Sequence, residues 1–306
     1  MAILKHLSDG KEYQLIANTL IGRGRRCDVV IDNQMVSNHH ADISWNGETW
    51  DVHDLGSLNG SFVDGRNLAQ SARTPLKKGA KLSFGDADDV YELIDDSPPL
   101  ALAFNSQSGD EQTEANGMLC IPSVDLPLCT ISYREGRWIA EPSDAEIHTV
   151  RSGDSVVVDG ERWKLELPTI VEGTIAPDSD EINLRLVHAE FRHSRDQEHV
   201  VIYIHHGKQT IEIDARAHSY MLLLLAKARV RDRQQGESRS EEGWISVDAL
   251  LEQLIDHDDN RLNVAIYRAR KQLSEAGISN ATELIERRPL AREVRIGFRN
   301  ITIASL

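Results

Sequence analysis

Two sets of side chains carry recognisable chemistry. The first lies in three short polar blocks: Ile21-Gly22-Arg23, Val36-Ser37-Asn38-His39-His40, and Asp54-Leu55-Gly56-Ser57-Leu58-Asn59-Gly60. These residue types suit a phosphate monoester such as phosphothreonine, which brings about −1.5 to −2 charges and three strong acceptor oxygens. Arg23 supplies charge-assisted hydrogen bonds, Ser37 a hydroxyl, and Asn38 a side-chain amide or its backbone N–H. Arg25 and Arg26 suit positions flanking the phosphate. Gly22 and Gly60 permit tight backbone. Singly, Arg23 reads as a surface arginine and Ser37 or Asn59 as a turn residue; the joint placement makes a pocket. The second set lies on a predicted helix from about Arg261 to Ala276. Leu262, Ala265, Ile266, Ala269 and Leu273 form one buried stripe. Arg261, Asn263, Tyr267, Arg268, Arg270 and Lys271 lie off that stripe, and such side chains reach base edges and phosphates in a major groove. Arg287, Arg288, Arg292, Arg295 and Arg299 follow and suit phosphate or minor-groove contact.

The elements that must hold these residues are legible. Residues 1–96 read as short strands with turns at Asn46-Gly47, Asn59-Gly60, Asp64-Gly65 and Lys78-Gly79, the pattern of an all-β sandwich. Residues 97–117 read as a Pro-, Ser- and acid-rich linker. Residues 118–168 return to β character and echo the first domain: TISYREGRW (130–138) follows DISWNGETW (42–50). Residues 169–181 read as a second linker. From 182 onward the chain offers three strands, then helices at 215–230, 247–255 and 261–276, then strands at 283–287 and 293–303. Asp214 and Ser246 are expected to cap the first two helices, and Asp258-Asp259-Asn260 the third, which Gly277 stops.

The three N-terminal blocks, in this order and with Val63-Asp64-Gly65 after them, resemble a forkhead-associated (FHA) domain over about residues 3–94. The resemblance implies a phosphothreonine-binding site using Arg23, Ser37, Asn38, Ser57, Asn59 and Arg25. It implies that Asn59 holds the peptide main chain beside the phosphoresidue. It also implies that Gly22, His40 and Gly60 support the pocket, His40 without touching phosphate. Leu58 departs from the family, which commonly has a hydroxyl residue there. The second β segment lacks all three blocks and is expected to have lost phosphate reading, as a degenerate FHA-like copy. Residues 184–304 resemble the winged helix-turn-helix domain of OmpR/PhoB-type regulators, through Val264-Ala-Ile266-Tyr-Arg268-Ala-Arg270-Lys-Gln-Leu273 and Arg295-Ile-Gly297-Phe298. That resemblance implies an α+β domain binding double-stranded DNA.

Charge fits this division. The chain has 306 residues and a formal charge of −15. Residues 1–180 hold 15 Lys and Arg against 30 Asp and Glu, residues 181–306 hold 19 of each, and residues 261–306 hold 9 against 4. The acidic excess therefore lies outside the expected DNA-reading part. Cys27, Cys120 and Cys129 form no CxxC pair, which suits a reducing cytoplasm. No apolar run reaches the ~20 residues of a membrane helix, and the N-terminus has no signal-peptide pattern. Adjacent histidines such as His39-His40 point to opposite faces of a strand and make no metal clamp. No P-loop, GxSxG or HExxH occurs, so neither an enzyme nor a cofactor is expected. The combined expectation is a cytoplasmic, bacterial transcriptional regulator coupling a Ser/Thr kinase pathway to DNA. A homodimer, one copy reading another's phosphothreonine, falls within it. The alternative is a phospho-dependent adaptor whose winged helix makes protein contacts only.

Overall fold

Alternating side chains build the first sandwich. In strand Val90–Asp95, Tyr91 and Leu93 are buried between half-buried neighbours, as a strand with one inward face requires. The computed structural model describes residues 1–69, 72–170, 182–254 and 258–306. It clusters into two compact units. One holds Met1–Leu102 with Arg151–Asp154 and a stretch from Lys164; the other holds Ala103–Val150, Ser155–Trp163 and the C-terminal part.

The first sandwich has two sheets. One runs in the order Glu12–Gln14, Ile3–His6, Val90–Asp95, Lys81–Phe84, Ser61–Val63, Arg66–Asn67. The other runs Val29–Val30, Asn18–Gly22, Ala41–Trp45, Trp50–Asp54, Arg73–Leu76. Leu4, Ile21, Ile43, Trp50, Val52, Phe84 and Leu93 share one core. Full burial of each large apolar side chain is worth roughly 1.5–3 kcal/mol.

The second β segment repeats this strand order. Its sheets run Glu111–Thr113, Leu102–Asn105, Glu161–Glu166, Ser155–Val158, and Leu119–Ser123, Leu126–Arg134, Arg137–Pro142, His148–Val150. The echoed sequences form equivalent hairpins. Trp45 pairs with Trp50 and Tyr133 with Trp138, each with ring centroids 5.5 Å apart. Counterparts of Val29–Val30, Ser61–Val63 and Arg66–Asn67 are missing from this order, and those are the strands beside the phosphate-type blocks. The stretch 97–117 differs from the expected linker, because it carries strands Leu102–Asn105 and Glu111–Thr113. Ala101, Leu102 and Ala103 are buried, so this short apolar run is core despite its polar surroundings. The expected linker at 169–181 falls mostly outside the described residues.

The C-terminal part begins with a sheet ordered Gln209–Ile213, Val200–His206, His188–His193, Asn300–Ser305, the last pair parallel. Three helices follow: α1 (Ser219–Gln234), α2 (Val247–Leu254) and α3 (Asp259–Glu275). Asp214 does not cap α1, which starts after His218 without a side-chain cap; the Ser219 hydroxyl instead accepts from Arg216 N–H in a preceding turn. Ser246 accepts from Ala249 N–H at the start of α2; Ile255 lies outside the described residues. Asp258 caps α3 by accepting from Asn260 N–H. The strand expected at 293–303 splits into Glu293–Ile296, paired with Ile285–Arg288, and Asn300–Ser305 in the other sheet. The break is at Gly297, whose Cβ, if present, would lie 2.1 Å from Glu283 O. Among the described residues, no helix is long and apolar enough to cross a membrane.

Candidate functional site

The three N-terminal blocks meet at one end of the first sandwich. Gly22 ends strand Asn18–Gly22, and the next two amides bind the second block: Arg23 N–H donates to Ser37 O (2.9 Å) and Gly24 N–H to Asn38 O (3.0 Å). The third block joins through Leu58 N–H to Ser37 Oγ (3.2 Å) and Asn59 Nδ2 to Met35 O (2.8 Å). Arg23, Ser37, Asn38 and Asn59 are thereby brought together. Arg23 is exposed; its Nε donates to Val36 O (3.2 Å), and its terminal nitrogens have no partner among the described residues. Asn38 and Arg25 are also exposed. Such outward donors on a fixed frame suit an incoming anion.

Ser57 is placed differently from its expected contact role. It is buried, donates to Asp54 Oδ2 (2.7 Å) and accepts from Gly60 N–H (3.0 Å). It therefore braces the loop. Asp54 Oδ2 also accepts from Ser61 Oγ (2.6 Å), and Oδ1 from Gly56 and Ser57 N–H. Burial would raise the Asp54 carboxyl, but the hydrogen bonds from Ser61, Ser57 and Gly56 hold it below its usual range. This carboxylate hub went unread in the sequence; the Asp-xx-Ser spacing of an Asx-type turn was its signal. Leu58, the departure from the family pattern, is 88% exposed.

His40 is fully buried. Its Nδ1 accepts from Ser37 N–H (3.0 Å), and its Nε2 lies 3.1 Å from Gly60 O, which a neutral ring satisfies by donating there. Burial pushes its pKa below the ordinary 6.5. Because the folded value lies below the unfolded one, the stability from this neutral ring is complete above pH 6.5 and is lost as pH falls from there through the lower folded value. We expect the melting temperature to drop between pH 7 and pH 5, and the drop to be smaller in His40→Asn. An equal drop in both proteins, followed by circular dichroism, would remove His40 from that role.

The second residue set is divided. On α3, Arg261 and Arg268 are exposed and Lys271 half-buried, with Arg261 3.8 Å from Asp258 and Lys271 3.8 Å from Glu275. Asn263, Tyr267 and Arg270, expected on the same open face, are buried. Tyr267 packs against Met118 and Cys120. Arg270, 1% exposed, donates from Nη2 to Glu141 Oε1 (2.9 Å) and to Ile285 O (2.7 Å). Glu141 also meets Arg134 Nη2 at 2.8 Å and Arg287 Nε at 3.1 Å. Burial would raise the Glu141 carboxyl, but Arg270, Arg134 and Arg287 bring it down to about 2. The arginines of the hairpin are occupied too. Arg288 pairs with Glu241 and Arg295 with Glu286, and both stack over Trp244, at 4.2 and 4.4 Å from its ring centre. Arg292 joins Asp248 and Asp259. Arg299 is exposed. Of the arginines in this set, Arg261, Arg268, Arg292 and Arg299 are exposed, with Lys271 half-buried beside Arg268.

Comparison with known proteins bears on the first site. Residues 19–85 match the FHA domain family model. The FHA domain-containing protein FhaB of Mycobacterium tuberculosis is 37% identical over 57 residues, 19% of this chain and 37% of that protein. Its namesake from Mycolicibacterium smegmatis is 35% identical over 74 residues, 24% of this chain and 45% of that protein. The chain thus spans less than half the length of these relatives. A solved structure of Mycobacterium tuberculosis EmbR in complex with a low-affinity phosphopeptide is similar over 30% of this chain and 23% of that one, at 32% identity and a TM-score of 0.28.

Proposed function

Starting from an FHA domain at the N-terminus, we propose that this chain is a phosphothreonine-reading transcriptional regulator of the bacterial cytoplasm. The FHA domain captures a phosphothreonine-containing protein, or another copy of this chain, modified by a Ser/Thr kinase. The observation that carries this half is the exposed Arg23 beside Ser37, Asn38 and Asn59, all fixed by backbone hydrogen bonds at one end of a sandwich.

The C-terminal part reads double-stranded DNA as a winged helix. Its support is the element order, with the hairpin Ile285–Arg288 and Glu293–Ile296 after α3, and the outward Arg261, Arg268 and Lys271. Electrophoretic shift with genomic fragments at physiological salt tests this half. We expect a specific complex that Arg268→Ala weakens by about tenfold, as for one lost charged contact. Absence of any fragment that outcompetes bulk DNA would contradict it. Arg270→Ala, by contrast, is expected to act on the fold, since Arg270 is buried against Glu141.

One observation favours the adaptor reading. The α3 side bearing Asn263, Tyr267 and Arg270 already makes protein contacts. On that reading α3 holds the C-terminal part to residues 118–142 and meets no nucleic acid. The shift experiment separates the two.

A further inference from the structure

The α3 side that faces residues 118–142 carries hydrogen-bond donors that the protein leaves unused, and we propose that this strand pair and a DNA duplex compete for that side. The inference rests on the DNA-binding reading above.

Helix geometry defines three sides of α3 at 100° per residue. Leu262, Ile266, Ala269 and Leu273 face the C-terminal core. Arg261 and Arg268 face outward, with Lys271 beside them. Asn263, Tyr267 and Arg270 make the third side, which residues 118–142 cover through Met118, Cys120 and Glu141. Tyr267 lies next to Lys271 around this helix, so the third side adjoins the outward one that a groove would meet.

The covered side is poorly satisfied. Four buried side-chain atoms among the described residues lack a hydrogen-bond partner, and two of them lie on this side of α3, Asn263 Nδ2 and Arg270 Nε. Both are donors: Arg270 sits on the Glu141 carboxylate, and Asn263 accepts through Oδ1 from Arg287 Nη2 (2.8 Å), itself a Glu141 partner. A buried donor without an acceptor costs about 1–3 kcal/mol, and such groups call for a specific explanation. Glu141 brings one negative charge to three guanidiniums, so the cluster keeps a surplus of positive charge in a buried place. A duplex offers what is missing: phosphate oxygens for the guanidiniums and base-edge acceptors for the amide. The Glu141 carboxylate then stands where a phosphate would, presenting the same paired acceptors to Arg270. Release of the strand pair exposes Asn263, Tyr267, Arg270 and Arg287 together, and duplex binding holds them exposed.

Cys120 reports on the covering directly. It lies against Tyr267 and Met118, and burial raises its thiol to about 11, so it reacts slowly with a maleimide at pH 8 while covered. The experiment uses the full chain and a fluorescent random-sequence 30-base-pair duplex. Anisotropy gives affinity, and mass mapping gives Cys120 labelling relative to Cys27. Glu141→Gln is expected to tighten duplex binding at least about tenfold, the loss of a charged hydrogen bond, and to raise Cys120 labelling. Saturating duplex is expected to raise Cys120 labelling in the unsubstituted chain, a measurement that needs no variant to fold. Duplex binding that leaves Cys120 protected and is unchanged by Glu141→Gln overturns the competition but keeps DNA binding. Absence of duplex binding in both proteins, with Cys120 labelled faster in Glu141→Gln, overturns it by removing the DNA reading itself.

Discussion

Arg23→Ala is expected to weaken binding of a phosphothreonine peptide by between about 10- and 150-fold. The range follows from losing a hydrogen-bonded charge, worth about 1.5–3 kcal/mol, at tenfold per 1.4 kcal/mol. The Arg23 side chain is exposed and makes one hydrogen bond, through Nε to Val36 O. Its removal therefore leaves the sandwich core untouched, and a stability change within about 0.5 kcal/mol is expected. Arg23→Lys keeps the charge and loses the planar fork, so its affinity should fall between the two. Calorimetry with phosphorylated and unphosphorylated forms of one peptide checks all three proteins. Equal affinity of Arg23→Ala and the unsubstituted chain for the phosphorylated form would place the anion site elsewhere.

Gly22→Ala should act through the frame and not through the ligand. A Cβ on Gly22 would lie 2.3 Å from Asn38 O and 3.0 Å from Ser37 O. Both are backbone oxygens, held by the amides of Gly24 and Arg23, so no side-chain rotation relieves the contact. Overpacking costs about 1–3 kcal/mol where neighbours can shift, and here the neighbours are the binding loop itself. We expect a loss of stability of about 3 kcal/mol together with loss of phosphopeptide binding, followed by urea unfolding and calorimetry. Gly10→Ala is the control, since nothing lies within 4 Å of its Cβ position; at positive φ it costs only backbone strain. Full binding and stability in Gly22→Ala would show that the second block is not seated against strand Asn18–Gly22.

How far the sequence disclosed this arrangement depended on residue type. The first sandwich was legible because Gly, Asn and Asp turns punctuate alternating apolar strands, and because the phosphate-type blocks are polar runs at strand ends. The hairpin echo was legible because Trp50 and Trp138 each face an aromatic partner across the turn. The strand Leu102–Asn105 was hidden, since its apolar run is short and flanked by linker-like residues. The Ser57 role was hidden because a serine that braces and a serine that binds look alike in sequence. The covered side of α3 misled most. Asn263, Tyr267 and Arg270 recur at i, i+4 and i+7, which is itself a buried-stripe spacing. Polar residues at that spacing read as an open face, and the groups that cover them are distant in sequence: Glu141 for Arg270, Met118 and Cys120 for Tyr267, and Arg287 for Asn263. Pairing across such a sequence separation leaves no local pattern.

We propose that one chain reads phosphothreonine at its N-terminus and DNA at its C-terminus. Genome-wide mapping of bound DNA in cells, for the unsubstituted chain and for Arg23→Ala, tests it most directly. We expect discrete enriched sites for the unsubstituted chain and altered occupancy of those same sites in Arg23→Ala. No site enriched above a mock control, in either protein, would contradict it.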